Sequence, residues 1–478
     1  MEIVKDIQNA YLPELILFIF IILNIIFSLF IKKNTYKISK ITTISAIALS
    51  GLSIFFIQIN PTYKAFNDVY ISNIYTTAFK IMILISGLLI ILSSHSFIRE
   101  KRQKSYEFFS IFLTGILSAF SIISSNDFIS AFISIELLSV CCYFLTSFRR
   151  NHKSKEAALK YLITGASSSA IFLLGISYLY GITGNINFSD ISDVISTSGI
   201  NIMFIISCIL IISALTFKLG CIPFNNWIID IYEGSTYGVG TYLSLIPKIA
   251  AIGLISRLFV FIFSYSPIIQ ILTAIIALCS IIYSAIGGIN QTNIKRLYAY
   301  SSILQSGFLL LAASCVSVYG FSCLIFYIFT YIFMNIGIWN AAIIYTTNYQ
   351  SDEIIDYKGI FYKNPYFSIA YTICLISLAG LPPTSGFLSK LYLFSALSRE
   401  DFTYLIILFL TLCATVISLF LYFKIIKVIY EKNSQDTKII KNITIGKIIL
   451  YICSIITILI CIYPNEIIKL SQIIAYYI

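Results

Sequence analysis

Long apolar runs separated by short polar breaks recur from one end of the chain to the other, and no stretch has the mixed polarity of a soluble domain. Each run can cross a hydrocarbon layer of roughly 30 Å as a helix. Set against their breaks, the runs predict spans at 15–31, 41–58, 71–94, 108–124, 128–147, 157–181, 202–232, 238–263, 267–289, 297–317, 321–345, 366–397, 403–426 and 448–463. The expectation is an all-α polytopic membrane protein with 14 transmembrane helices.

Two of these spans are too long and internally broken. Span seven is interrupted around Gly220 and Pro223, and span twelve around Gly380, Pro382, Pro383 and Gly386. Proline lacks the helix donor and clashes with the preceding turn, so neither span continues as one helix. The two lie five spans apart and therefore cross in opposite directions, as two inverted five-helix repeats would. The predicted organisation is three N-terminal helices (1–107), a first five-helix bundle (108–263), a second, inverted one (264–430), and a C-terminal helix with its tail (431–478).

Composition adds the class and charge adds the orientation. Of 478 residues 58% are hydrophobic and 11% charged, with a mean hydropathy of +0.91, outside the range of soluble domains. Cytoplasmic loops collect Lys and Arg. Here 23 of the 32 fall in the alternate loops 32–40, 99–104, 149–160, 295–296, 358–363 and 424–447. The other side holds five: Lys5, Lys64, Lys80, Arg399 and Lys469. A miscount by one span would scramble that alternation. Both termini are thus expected on the periplasmic side of a bacterial inner membrane, and the net charge of +11 marks orientation, not nucleic-acid binding. The first run follows Glu2, Asp6 and Glu14 in place of a basic leader, which predicts a retained span.

The 11 cysteines lie almost all within apolar runs, without a CxxC pair, and read as core filler. The two histidines, His95 and His152, sit at run edges beside basic residues. That set does not supply haem, iron–sulfur or metal ligands.

Four ionisable residues fall inside spans where no end is within reach. Glu136 lies in FISAFISIELLSVCCYFL, Lys218 in LTFKLGCIPFNNW, Lys248 in SLIPKIAAIG and Lys390 in GFLSKLYLF. A charge at a helix centre costs about 3 kcal/mol even on the lenient insertion scale, so such groups find partners or water. Buried ion pairs that fix helix register would account for one pair. Four groups, two of them beside broken helices, point to transport of protons or ions. Burial disfavours an ammonium and a nearby carboxylate favours it, so a changing Glu–Lys distance works as a proton switch. Breaking the helix frees backbone groups that hydrate and position the lysine.

Other polar residues receive plainer readings. Arg257 snorkels near a span end, Lys295 and Arg296 open span ten at the inner surface with Lys295 a candidate for proton intake, and Asp230 and Glu233 are solvated loop charges. The run GASSSA (165–170) reads as close helix packing, and Asn126 and Asp127 as caps.

The stretches FKLGCIPFNNWIIDIYEG (217–234), IPKIAAIGLISRLF (246–259), NIKRLYAYSSILQSGF (293–308), SLAGLPPTSGFLSK (377–390) and SIELLSV (134–140) resemble the antiporter-like membrane subunits of respiratory complex I, those of the N type above all. The resemblance covers about 108–430. It implies a proton-translocating subunit of an NADH:quinone oxidoreductase, in which Glu136 pairs with Lys218, Lys248 is the central carrier and Lys390 lies nearest the outward half-path. It also implies that FMN, iron–sulfur clusters and quinone belong to other subunits, that M-, K- and L-type subunits are the neighbours, and that this chain binds no cofactor, metal or nucleic acid itself. No GxGxxG fingerprint contradicts that. Three positions depart from the pattern: Asn225 and Gln305 stand where histidines are usual, and Gly234, Ser235 and Thr236 replace a GAP turn. The D-type member of an Mrp-type cation/proton antiporter is the alternative of the same fold, although the ELLS at Glu136 and the Pro247–Lys248 pair resemble the N type more. A non-conducting membrane scaffold is the alternative of another class.

Overall fold

The computed structural model describes residues 2–30, 35–56, 62–93, 105–349, 351–432 and 445–478, with side chains from residue 11 onward and not at 56 or 105. His95, the basic loop 99–104, Lys32, Lys33, Lys438 and Lys441 lie outside the described residues, as do the last positions of spans 15–31, 41–58 and 71–94.

Helices account for nearly all of the fold. In chain order they are α1 (Glu2–Phe30), α2 (Thr35–Phe56), α3 (Ile74–Ser93), α4 (Ser105–Ser124), α5 (Phe128–Ser147), α6 (His152–Thr183), α7 (Phe188–Ser198), α8 (Ile202–Leu219), α9 (Asn226–Gly234) and α10 (Tyr237–Phe261). There follow α11 (Pro267–Ile289), α12 (Ile294–Ser314), α13 (Val318–Tyr349), α14 (Ile360–Lys363), α15 (Pro365–Ala379), α16 (Ser385–Leu397), α17 (Phe402–Tyr430), α18 (Ile445–Ile462) and α19 (Pro464–Ala475). Thirteen helices among the described residues are long and apolar enough to cross a membrane, and α15 is a shorter apolar one. The chain is a multi-pass membrane protein. The predicted span at 366–397 is split into α15 and α16, each too short to cross alone.

Three small elements add to the pattern of spans. The strands β1 (Tyr63–Ala65) and β2 (Tyr70–Ser72) pair as an antiparallel hairpin ahead of α3. Helix α7 buries only Phe188, Ile191 and Ile195, a one-sided stripe too short to stand out from a loop. Helix α19 follows the last span and buries little.

Helix boundaries follow local chemistry. Asp127, Asn151 and Asn201 each accept a hydrogen bond from a backbone amide three residues on, at 2.6, 2.9 and 2.8 Å, and so cap α5, α6 and α8. Asn293 does the same for α12, toward Lys295 and Arg296.

The interior is built around α10, α12 and α13, whose spanning windows are 94%, 100% and 94% buried, against 22% for α1. The flanking helices pair around them: α4 on α5, α6 on α8, α11 on α12 and α17, α13 on α18. Outward-facing residues on the flanking helices include Phe55, Phe144, Phe409 and Phe420. An apolar surface of that extent belongs in lipid or against other membrane chains.

Lys80 and Arg257 overturn their sequence readings. Lys80 is not a loop charge: it is 1% exposed in α3 and forms an ion pair at 2.8 Å with Glu14 of α1, itself 0% exposed. The Tyr70 hydroxyl donates to the same carboxylate and accepts from Lys80 at 2.8 Å. Lys80→Met leaves that carboxylate buried without its counter-charge and is expected to cost about 3–5 kcal/mol, whereas Glu14→Leu with Lys80→Met recovers most of the loss. Thermal inactivation of the detergent-solubilised protein reads both. Arg257 does not snorkel either. Its guanidinium is 2% exposed and donates to the carbonyls of Ile123, at 3.2 Å, and Ser125, and to Asn126 Oδ1 at 3.0 Å, tying α10 to the α4–α5 corner.

Candidate functional site

Both breaks have the same local construction. Helix α8 ends at Gly220, with φ 73°, and α15 at Gly380, with φ 84°, a left-handed conformation that suits glycine. In each case the following amide reaches back five residues: Cys221 N–H to Thr216 O at 3.0 Å and Leu381 N–H to Ile376 O at 3.2 Å. Pro223 lies between α8 and α9, and Pro382 and Pro383 between α15 and α16, so each helix stops inside the bundle and a second begins within a few residues.

A helix that ends in the interior presents its carbonyls, the negative end of its dipole, to whatever lies there. At the second break that is an ammonium, and the first carries one on its own last turn. Lys218 occupies the last turn of α8. Lys390 reaches back from α16 and donates to Ala379 O at 2.8 Å and Leu378 O at 3.1 Å, with the Phe308 ring 5.0 Å away. The break thus supplies Lys390 with acceptors that an unbroken helix would have used internally.

Glu136 faces Lys218 at 4.0 Å. The Ser169 hydroxyl of α6 donates to the carboxylate, and Lys218 donates to Ser139 Oγ, one turn beyond Glu136 on α5, at 2.8 Å. The pair is not sealed inside the chain: the Glu136 side chain is 32% exposed and that of Lys218 12%. Glu136 sits at the edge of the bundle on the α5 face that also exposes Ile133, Val140 and Phe144.

Lys248, on α10, is 2% exposed. Its ammonium donates to Ser302 O at 2.7 Å, Ser302 Oγ at 2.5 Å and Ser306 Oγ at 2.6 Å. Three neutral oxygens satisfy three N–H groups, and among the described residues neither Lys248 nor Lys390 has an ion-pair partner.

Helix α12 joins these two lysines. Ser302 and Ser306 touch Lys248, while Gln305, between them in sequence, donates to Leu378 O at 3.3 Å, an oxygen that also accepts from Lys390. The Gln305 carbonyl accepts from the Tyr327 hydroxyl at 2.5 Å. Toward Lys218 the polar contacts are interrupted by a cavity of about 20 Å³ lined by Ser139, Cys142, Tyr161, Lys218 and Pro247 among others. That is room for about one water by the volume its centre sweeps.

Lys295 lies apart, in the first turn of α12. The surface role read from its position does not hold: its side chain is 3% exposed, with Asp352 at 3.2 Å, the Ser235 carbonyl at 3.2 Å and the Tyr237 ring 4.4 Å away. Asp230 and Glu233 are likewise not free loop charges. They lie on α9 and pair with Lys160 and Arg296, each at 2.8 Å. Asn225, just before α9, is 4% exposed and its amide nitrogen has no hydrogen-bond partner, nor has the Trp227 indole nitrogen.

Glu136, Lys218, Lys248 and Lys390 therefore come together in sequence order, with α12 between the last two. The hydroxyls of Ser139, Ser169, Ser302 and Ser306 join them without being singled out by the sequence. Spacing is the signal that was available: Ser139 is one turn from Glu136, and Ser302 and Ser306 are one turn apart on α12.

Comparison with known proteins gives the family. The family described as NADH:quinone oxidoreductase/Mrp antiporter, transmembrane, matches residues 125–418, which include both breaks and all four charged residues. The chain belongs to that family. The NAD(P)H-quinone oxidoreductase subunit 2 of the Mesostigma viride chloroplast is similar to this member, 35% identical with 97% of this chain and 95% of the relative covered. The NADH-quinone oxidoreductase subunit N of Pelagibacter ubique is also 35% identical, over 90% of this chain and 92% of its own. A chain in the structure of respiratory complex I from Thermus thermophilus has the same fold, with a TM-score of 0.81 at 23% identity, covering 96% of this family member and 99% of that chain.

Proposed function

We infer that this chain is the proton-translocating, N-type membrane subunit of an NADH:quinone oxidoreductase. The family alone also covers Mrp antiporters. Relatives of near-full length at 35% identity that are quinone oxidoreductase subunits favour the first reading.

The observation that carries the mechanism is Lys248. A fully buried ammonium bonded only to hydroxyls and a carbonyl loses little when it gives up its proton, because one hydroxyl can turn and donate to the amine. We propose that Glu136 and Lys218 set the charge beside it, that Lys248 takes and releases the proton, and that Lys390 receives it at the α15 terminus. The Glu136–Lys218 separation of 4.0 Å supports this, being long enough that a small movement changes the attraction. Lys295 with Asp352 would open the intake side. One-third exposure of Glu136 supports a covering neighbour there, a K-, M- or L-type subunit or its equivalent. FMN, iron–sulfur clusters and quinone chemistry are assigned to other subunits.

The proposed topology has fourteen crossings, α15 and α16 together making the twelfth. Two inverted five-helix bundles, 108–263 and 264–430, follow the N-terminal helices (1–107) and precede the C-terminal segment (431–478), with both termini on the periplasmic side of the inner membrane. The matching construction at Gly220 and Gly380 supports the repeat. In membrane vesicles lacking this chain, restoring it is expected to restore NADH-driven, quinone-dependent acidification. Acidification that is equally strong without it would leave only a scaffold.

A further inference from the structure

The proton carrier needs a donor, and among the described residues Lys248 has no carboxylate paired with it. Its neighbours are the hydroxyls of Ser302, at 2.5 Å, and Ser306, at 2.6 Å. The two are not equivalent. Ser306 Oγ donates to the Ser302 carbonyl at 2.9 Å, a bond within α12 that leads nowhere else. Ser302 Oγ has a second partner on another helix, the Tyr232 hydroxyl of α9, at 3.0 Å. Tyr232 is fully buried and stands on the short helix that begins after the first break, whose far end carries Glu233 paired with Arg296.

We propose that Ser302 and Tyr232 form the proton-delivery pair for Lys248, with Ser302 passing the proton directly and Tyr232 supplying Ser302. The inference rests on the proton-translocation reading and assigns the donor within it. With Lys248 as the ammonium, Ser302 Oγ accepts from Nζ and its own hydrogen points to Tyr232. With Lys248 as the amine, both hydroxyls reverse. Refilling the amine moves the Ser302 hydrogen to Nζ, the Tyr232 hydrogen to Ser302 Oγ and one proton from inner-side water to Tyr232. Only O–H and N–H bonds change, and the net uptake is one proton. The indole of Trp339 packs against both Tyr232, at 5.5 Å, and Tyr237, at 6.1 Å, whose hydroxyl donates to the 39% exposed Asp352 at 2.6 Å. The solvent-facing acid and the delivery pair are thus linked through one ring, which water must pass.

The test uses the whole enzyme in membrane vesicles, with NADH-driven acidification measured in H2O and D2O. Tyr232→Phe removes one oxygen from a packed ring, and Ser302→Ala removes the hydroxyl that touches Nζ. Both are expected to slow acidification about a hundredfold, the low end of what a placed proton donor contributes, and to raise the solvent isotope effect above that of the wild type. Ser302→Thr keeps the hydroxyl and is expected to pump at close to the wild-type rate. Wild-type acidification and isotope effect in Tyr232→Phe would overturn the delivery pair, even where Ser302→Ala fails to assemble. If Lys248→Met blocks pumping in the same membranes, that result leaves the translocation reading standing; if Lys248→Met pumps too, the translocation reading itself fails.

Discussion

Lys248→Met is expected to abolish proton translocation, with a loss of about a hundredfold or more, while the complex still assembles. Chemistry and folding separate at this position. Methionine has nearly the length of lysine and no proton to exchange, and it removes a buried charge whose partners are all neutral. Ser306 already donates to Ser302 O, so the two serines are not stranded when the ammonium goes. A structural ion pair would behave in the opposite way, because removing one member would leave the other charge buried, as at Glu14 and Lys80. Lys248→Arg sharpens the result. The guanidinium keeps its proton in proteins, so charge is preserved and cycling is not. Acidification by NADH-energised vesicles, with enzyme content normalised by NADH oxidation through the redox arm, is the measurement.

Glu136→Gln is expected to lower coupled pumping about tenfold and to leave the fold intact. The amide can still accept the Ser169 hydroxyl but carries no charge. At 4.0 Å and an effective dielectric of about 20, the Glu136–Lys218 attraction is about 4 kcal/mol, and separation to about 8 Å halves it. A change of about 2 kcal/mol shifts an equilibrium roughly thirtyfold, which is the size a switch requires. Partial exposure in the isolated chain weakens the pair, so the full effect belongs to the assembled enzyme. Combining Glu136→Gln with Lys218→Met is expected to cost little more than the worse single change, since both remove the same interaction. Additive losses would mean that the two residues act separately.

Much of this was legible from residue types and spacing. The spans were legible because lipid admits few charges, and the breaks because Gly220, Pro223, Gly380, Pro382 and Pro383 cannot continue a helix. Glu136, Lys218, Lys248 and Lys390 stood out because no span end lies within their reach. Glu14 and Lys80 stayed hidden for the converse reason: each lies near enough to a span end to pass for a solvated charge, and only the packing of α1 against α3 and the hairpin makes them partners. Arg257 and Lys295 misled in the same way. Ser302 and Ser306 were invisible among the many serines of these helices. A hydroxyl in a membrane helix usually bonds its own backbone, and nothing in the sequence says which one faces a lysine.

The proposed relay requires the first charged pair to act on the central lysine through a hydrated gap, where direct side-chain contact is missing. A map of the assembled enzyme at a resolution that reveals ordered water tests this most directly. Water is expected in the cavity between Lys218 and Pro247, bonded toward Ser139 on one side and leading to the Lys248 ammonium on the other. Side chains closing that space, with no water between Lys218 and Lys248, would contradict the proposed relay.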